Sequence, residues 1–188
     1  MDVIELTISG CYLFKGNKLE DDRGDFLKIF QAPIFTSLGL ETSFVESYIT
    51  TSNKGVIRGM HFQAPPFDHS KLVCCISGKI KDGLVDLRLN SKTFGQSLSL
   101  ILDSKNNEIL YIPKGIAHGF AAYQNNSKLI YMVTSLYNSE FDMGIHYDSV
   151  GINWWHEGNF NHHTNAVVSS RDENFPYLSE FKSPFVAL

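Results

Sequence analysis

The chain has 188 residues, enough for one sizeable core, and no Pro/Gly/Ser linker or break in composition divides it, so residues 1–188 read as a single domain. Hydrophobic residues make up 43% and aromatics 13%, with fourteen Phe and eight Tyr, a balance that suits a sheet protein better than a helical bundle. The formal net charge of -4 supplies no global basic field to recruit nucleic acid or acidic lipid, so an anionic ligand has to be held by local Arg and Lys.

In chain order, the opening "MDVIELTISG" has neither a basic segment followed by an apolar one nor the length of a membrane span, which points to a cytoplasmic protein. "PIFTSLGL", Pro33 to Leu40, predicts a short helix. "KLVCCISGKIKDGLVDLRL" predicts two strands joined at Ser77-Gly78, with Val85, Leu87 and Leu89 alternating against Asp86 and Arg88. Cys74 and Cys75 then point to opposite faces of a strand; with Cys11 the count is odd and lacks CxxC spacing, so neither a disulfide framework nor a zinc site follows. "SLSLIL" and "ILYIP" are further strands, the second stopped by Pro113, which cannot donate to a ladder. "GFAAY" and "KLIYMVTSLY" flank "QNNS" as a predicted hairpin, and from Val150 onward the chain reads as irregular. Many short strands at close spacing argue for an all-β closed barrel or a double-sheet jelly roll.

Two stretches carry more. In "RGMHFQAPP", Arg58 to Pro66, His61 is by residue type a general base, a metal ligand or a hydrogen-bonded core histidine. In "IPKGIAHGFAAYQN", Pro113, Gly115, His118 and Asn125 resemble the second motif of the cupin superfamily, double-sheet jelly-roll barrels with a ligand in the barrel mouth. Taken with "DDRGDF" at 21 to 26, "GVIRGMHFQAPP" at 55 to 66, "KLV" at 71 to 73, "VDLRLNSKTFG" at 85 to 95 and "SSRDENFPYL" at 169 to 178, the sequence resembles, in colinear order over nearly its whole length, the dTDP-4-dehydrorhamnose 3,5-epimerase family. These enzymes invert carbons beside the ketone of a nucleotide-linked 4-keto-6-deoxy sugar. The resemblance implies such a substrate, no cofactor, and a homodimer whose N-terminal strands cross to the partner.

Metal-binding cupins typically supply an HxH pair, a downstream Glu and a second-motif His. Here Gln63 stands two residues after His61 and Lys71 lies where another ligand would be useful, a poor donor set for a divalent ion, so no catalytic metal is expected. His162 and His163 in "NHHT" are adjacent and read as solvated loop.

Epimerisation beside a ketone needs a base on one face of the sugar, a donor to the enolate oxygen and an acid on the other face. By resemblance, His61 is the base, Asp172 orients it, Lys71 faces the carbonyl and Tyr131 is the phenol that reprotonates the opposite face. Arg23 and Arg58 match arginines that bind the diphosphate. Phe26, Gln63, His118, Tyr137 and Arg171 fall on positions near the ligand. Taken by type alone, Asp172 is an exposed turn residue, Lys71 a solvated lysine, and Tyr131 and Phe26 core aromatics.

The pattern breaks in "FVESYIT", where the family usually has Gln and Asn and this chain has Glu46 and Tyr48 facing the site. His69 replaces a common Gln, and Met132 a Lys often found after the tyrosine. These changes around one pocket point to a sibling activity, such as a single epimerisation or a CDP-linked substrate. A cupin that binds a sugar nucleotide without turnover and a metal-dependent cupin isomerase or dioxygenase are the alternatives from other classes.

Overall fold

The computed structural model describes residues 1–155 and 166–186. One sheet contains β1 (Asp2–Glu5), β2 (Tyr12–Lys15), β5 (Glu46–Ser52), β7 (Lys71–Ser77), β10 (Glu108–Ile112) and β12 (Ser127–Val133), in the order β1-β2-β10-β7-β12-β5. The second contains β6 (Ile57–Gln63), β8 (Lys79–Asp86), β9 (Ser97–Asp103), β11 (Ile116–Ala122) and β13 (Asp142–Gly144), in the order β13-β6-β11-β8-β9. A separate hairpin pairs β3 (Lys18–Asp21) with β4 (Gly24–Leu27). The strands of both sheets pair antiparallel, as in the double-sheet jelly roll expected from the sequence.

Both sheets are covered on both faces, which explains where simple alternation fails. Val73, Cys75, Leu110, Leu129 and Tyr131 of the first sheet meet Ile80, Leu84, Leu102 and Phe120 of the second in the central core. The outer face of the second sheet packs Ile57, Phe62, Val85 and Ala117 under Trp154, Trp155 and Phe185. The outer face of the first packs Phe14, Leu72, Cys74 and Ile109 under α1 (Ala32–Ser37), whose Phe35 stacks on Phe14 with ring centroids 4.6 Å apart. Cys74 and Cys75 therefore do lie on opposite faces.

Two details of the sequence reading are corrected. β11 and β12 flank the "QNNS" turn but do not pair: β11 lies between β6 and β8, and β12 between β7 and β5. Turn residues mark where a chain reverses, and the same signal serves a crossover between sheets. The apolar-against-polar alternation at 85 to 89 also fails, because β8 ends at Asp86 and that carboxylate is fully buried. Its oxygens accept from the Arg88 backbone and guanidinium and from the Ser91 and Thr93 hydroxyls at 2.6 to 3.0 Å, enough partners for a carboxylate to go inside.

One close approach sets the position of the site. Gly59 has φ +129°, and a Cβ there would sit 2.5 Å from Gly119 Cα, so only glycine lets β6 and β11 meet this tightly. Two residues on, His61 stands directly opposite His118.

Candidate active site

A cleft of about 330 Å³ opens between the two sheets, with Tyr48, Lys71 and Tyr131 on one side and Arg58, His61 and His118 on the other. His61 Nε2 lies 2.9 Å from Asp172 Oδ1, while Asp172 Oδ2 accepts from the Gly59 N–H at 3.0 Å. A carboxylate only accepts, so Nε2 carries the hydrogen, and in the neutral ring Nδ1 keeps the lone pair. Asp172 reaches this place from α2 (Ser170–Glu173), capped by the Ser169 hydroxyl accepting from the Asp172 N–H. Burial pushes the Asp172 carboxyl up, but hydrogen bonding and charge from His61, with Gly59 and Ser169, outweigh it and hold the group below its ordinary range. The ring of Phe175 meets His61 edge-on at 5.7 Å and rests where a Cβ on Gly144 would strike it, fixing the imidazole from a second side.

Lys71 is almost fully buried and donates from Nζ to the His61 carbonyl at 3.1 Å. Burial pulls its ammonium down to about 8, against the pull of the Asp142 and Asp82 carboxylates. His118 Nε2 lies 2.8 Å from Asp82 Oδ2, both groups buried; burial disfavours charge on the imidazole and lowers its basicity.

Tyr131 is a core residue and a cleft residue at once: it packs in the central cluster, is 5% exposed and lines the cleft. Burial, followed by Tyr48 and Asp82, raises its phenol well above the ordinary value, so it stays protonated. Tyr48 also lines the cleft, its phenol pushed up to about 12 by burial and by the Glu46 and Asp142 carboxylates. Glu46 accepts from the Tyr137 N–H at 3.0 Å, tying the edge strand to the exposed Tyr137 segment at the rim.

Of the remaining sequence candidates, Arg58, Gln63, Tyr137 and Arg171 line the cleft. Arg58 Nε donates to the Ser52 hydroxyl at 3.0 Å, and Arg171 pairs with Asp142 at 2.8 Å and lies over Phe175. Arg23 and Phe26 are not brought to the cleft. They sit on the β3–β4 hairpin, with Arg23 paired to Asp21 at 2.5 Å and Phe26 56% exposed. Met132 is corrected as well: it alternates with Tyr131 along β12 and packs on the outer face of the first sheet, so three of the four departures line the cleft.

The sequence reading missed Phe175, Asp82 and Asp142. Phe175 lies inside the quoted "SSRDENFPYL", but nothing in its spacing says that it meets His61. Asp82 carried a signal in falling between Ile80 and Leu84 on the core-facing alternation of β8; Asp142 carried none.

Among the described residues, no three His, Cys, Asp or Glu side chains converge as a metal site, and no helix is long and apolar enough to cross a membrane. His162 and His163 lie outside the described residues.

The jelly roll gathers an imidazole–carboxylate pair, a buried ammonium and a buried phenol around one cleft, groups of the class that take up and return protons. The family model for dTDP-4-dehydrorhamnose 3,5-epimerase matches residues 5–180. The enzyme of that name from Methanothermobacter thermautotrophicus is 36% identical over 179 residues, 94% of each chain, and that of Escherichia coli K12 is 34% identical over 183 residues, 96% of each. The structure of dTDP-6-deoxy-D-glucose-3,5-epimerase from Legionella pneumophila, in complex with dTDP-4-keto-L-rhamnose, superposes with a TM-score of 0.90 at 31% identity, covering 100% of this chain and 99% of that one. The chain belongs to the dTDP-4-dehydrorhamnose 3,5-epimerase family.

Proposed function

We propose that this protein epimerises a dTDP-linked 4-keto-6-deoxy sugar at one or both carbons flanking the ketone. The observation that carries the reading is the imidazole of His61, held by Asp172 with its Nδ1 lone pair left free, across the cleft from the protonated phenol of Tyr131. His61 Nδ1 takes the proton from the carbon beside the ketone, and the C–H electron pair moves into the enolate. Lys71, still carrying its proton at neutral pH, holds the enolate oxygen. Tyr131 delivers a proton to the opposite face, and exchange with solvent restores the phenol and the neutral imidazole. Arg58 and Arg171 at the rim suit a diphosphate.

Arg23 and Phe26 enter this reading through a homodimer. The exposed β3–β4 hairpin, with its open arginine and apolar Leu19 and Phe26, carries them to the cleft of the neighbouring copy. Mixing an Arg23→Ala protein with a His61→Asn protein then restores activity through one intact site per heterodimer, and no restoration on mixing and re-equilibration would remove the dimer from the reading. The enzyme is placed in the cytoplasm, supplying deoxysugar for surface polysaccharide.

The direct test is exchange of solvent deuterium into dTDP-4-keto-6-deoxyglucose followed by NMR, with the CDP-linked sugar alongside. Exchange at either carbon flanking the ketone, lost in His61→Asn, is the expected outcome. Wild-type protein that exchanges neither carbon in either sugar would sink the reading.

A further inference from the structure

The geometry points to His69 as a specificity-determining residue that donates a hydrogen bond from Nε2 to an oxygen of the bound sugar, on the side of the ring held by Lys71; this rests on the epimerase reading. His69 precedes β7, two residues before Lys71, and is part of the cleft wall. Its tautomer follows from its neighbour. Gln63 Oε1 accepts from the Asn138 N–H at 2.6 Å, and Gln63 Nε2 donates to the carbonyls of Phe67 at 2.8 Å and Leu136 at 3.1 Å, so the amide can be placed only one way round. His69 Nδ1 lies 3.1 Å from that same Nε2 and therefore faces a donor. The amide has two hydrogens for three acceptors, so Nδ1 shares one of them with a carbonyl; a hydrogen on Nδ1 would meet amide hydrogens and no acceptor, which puts the hydrogen of the neutral ring on Nε2. Burial, and then the charges of Lys71 and Lys114, keep the ring from taking a second proton until about pH 3.

No described residue accepts from Nε2, and it is not among the buried atoms cut off from solvent, which leaves a fixed N–H at the cleft wall. With its acceptor nitrogen already used, the ring reads only acceptors, and the Lys71 ammonium beside it disfavours a cationic substituent. A hydroxyl or keto oxygen of the sugar is the matching group.

Two measurements test this. Nitrogen-15 NMR of the free protein at pH 7 is expected to show His69 as the neutral Nε2–H tautomer; an Nδ1–H tautomer or an imidazolium would overturn the proposal. His69→Phe keeps a ring and removes the donor, and His69→Gln keeps a donor. A neutral hydrogen bond contributes about 0.5–1.5 kcal/mol, so His69→Phe is expected to raise KM two- to twelvefold with a smaller change in kcat, while His69→Gln stays within about twofold of wild type. KM unchanged in His69→Phe, or raised equally in both variants, would refute the donor role. Should the wild type turn over no 4-keto sugar, the epimerase reading falls and the nitrogen spectra still decide the tautomer.

Discussion

Tyr48 and Tyr131 are in register across β5 and β12, and their rings lie parallel within 13°, with centroids 4.8 Å apart. Two phenols thus share one wall of the cleft, but only Tyr131 is anchored in the central core. Tyr131→Phe is expected to cut net inversion by about 10²–10⁴, the usual scale for a positioned acid, while solvent exchange at the carbon facing His61 falls much less. Tyr48→Phe keeps the stack and is expected to cost less than about tenfold. The comparison needs deuterium incorporation and product configuration in the same tubes; a Tyr48→Phe protein more damaged than Tyr131→Phe would assign the acid to Tyr48.

Asp172→Asn tests how His61 is held. The amide oxygen can still accept from the Gly59 N–H, but its NH2 then faces His61 Nε2 and drives the ring hydrogen onto Nδ1, where the reaction needs a lone pair. We expect kcat to fall by about 10³–10⁴, with the melting temperature nearly unchanged because packing is preserved. A variant retaining a tenth of wild-type activity would show that the carboxylate does not set the tautomer.

Lys71 is expected to give the activity an alkaline limb. Its ammonium is lost as pH rises through about 8, and with it the charge proposed to hold the enolate oxygen, so kcat is expected to decline above that value. Lys71→Met removes the limb along with about 10²–10³ of the rate. Because burial opposes the charge, the same variant is expected to be at least as stable as wild type. A pH–rate profile paired with thermal melts checks both halves, and an alkaline limb that survives in Lys71→Met would assign it to another group.

Stability is expected to weaken on the acid side through His69. Its folded-state value is about 3 against an ordinary 6.5, so below pH 6.5 the unfolded chain takes up a proton that the folded ring refuses. The contribution is complete above 6.5 and is lost as pH falls toward 3, with a limiting slope of about 1.4 kcal/mol per pH unit. Urea unfolding at pH 7, 6 and 5 should therefore show a shallower decline in His69→Gln than in wild type. Equal slopes would mean that His69 titrates alike in both states.

Strand positions from β7 to β12 were legible because each apolar run there is bounded by turn residues, as at "KLVCCIS" and "ILYIP", which became β7 and β10, whereas the short strands β1 to β4 and β13 lack that pattern. Pairing was not, since the sheet to which β11 or β12 belongs is decided by contacts far away in sequence. The site followed a similar division. His61, Lys71, Tyr131 and Asp172 were reached through motif resemblance, and the 2.9 Å contact between His61 and Asp172 joins residues that no spacing rule connects. Phe175 and Asp142 escaped because their parts are played through neighbours: one against the imidazole, the other against Arg171. Arg23 and Phe26 lie away from the cleft on the β3–β4 hairpin, a placement that motif resemblance alone does not reveal.

The placement of Glu46 and Tyr48 on β5 has a practical consequence for redesign. That strand is the outermost of its sheet and much of it is open to solvent, whereas His61 and Lys71 stand on interior strands packed on both sides. Exchanging side chains along the border perturbs few buried neighbours, so a library confined to Glu46 and Tyr48, with Tyr48 kept aromatic to preserve its stack on Tyr131, could be screened for new sugars at little cost in foldability.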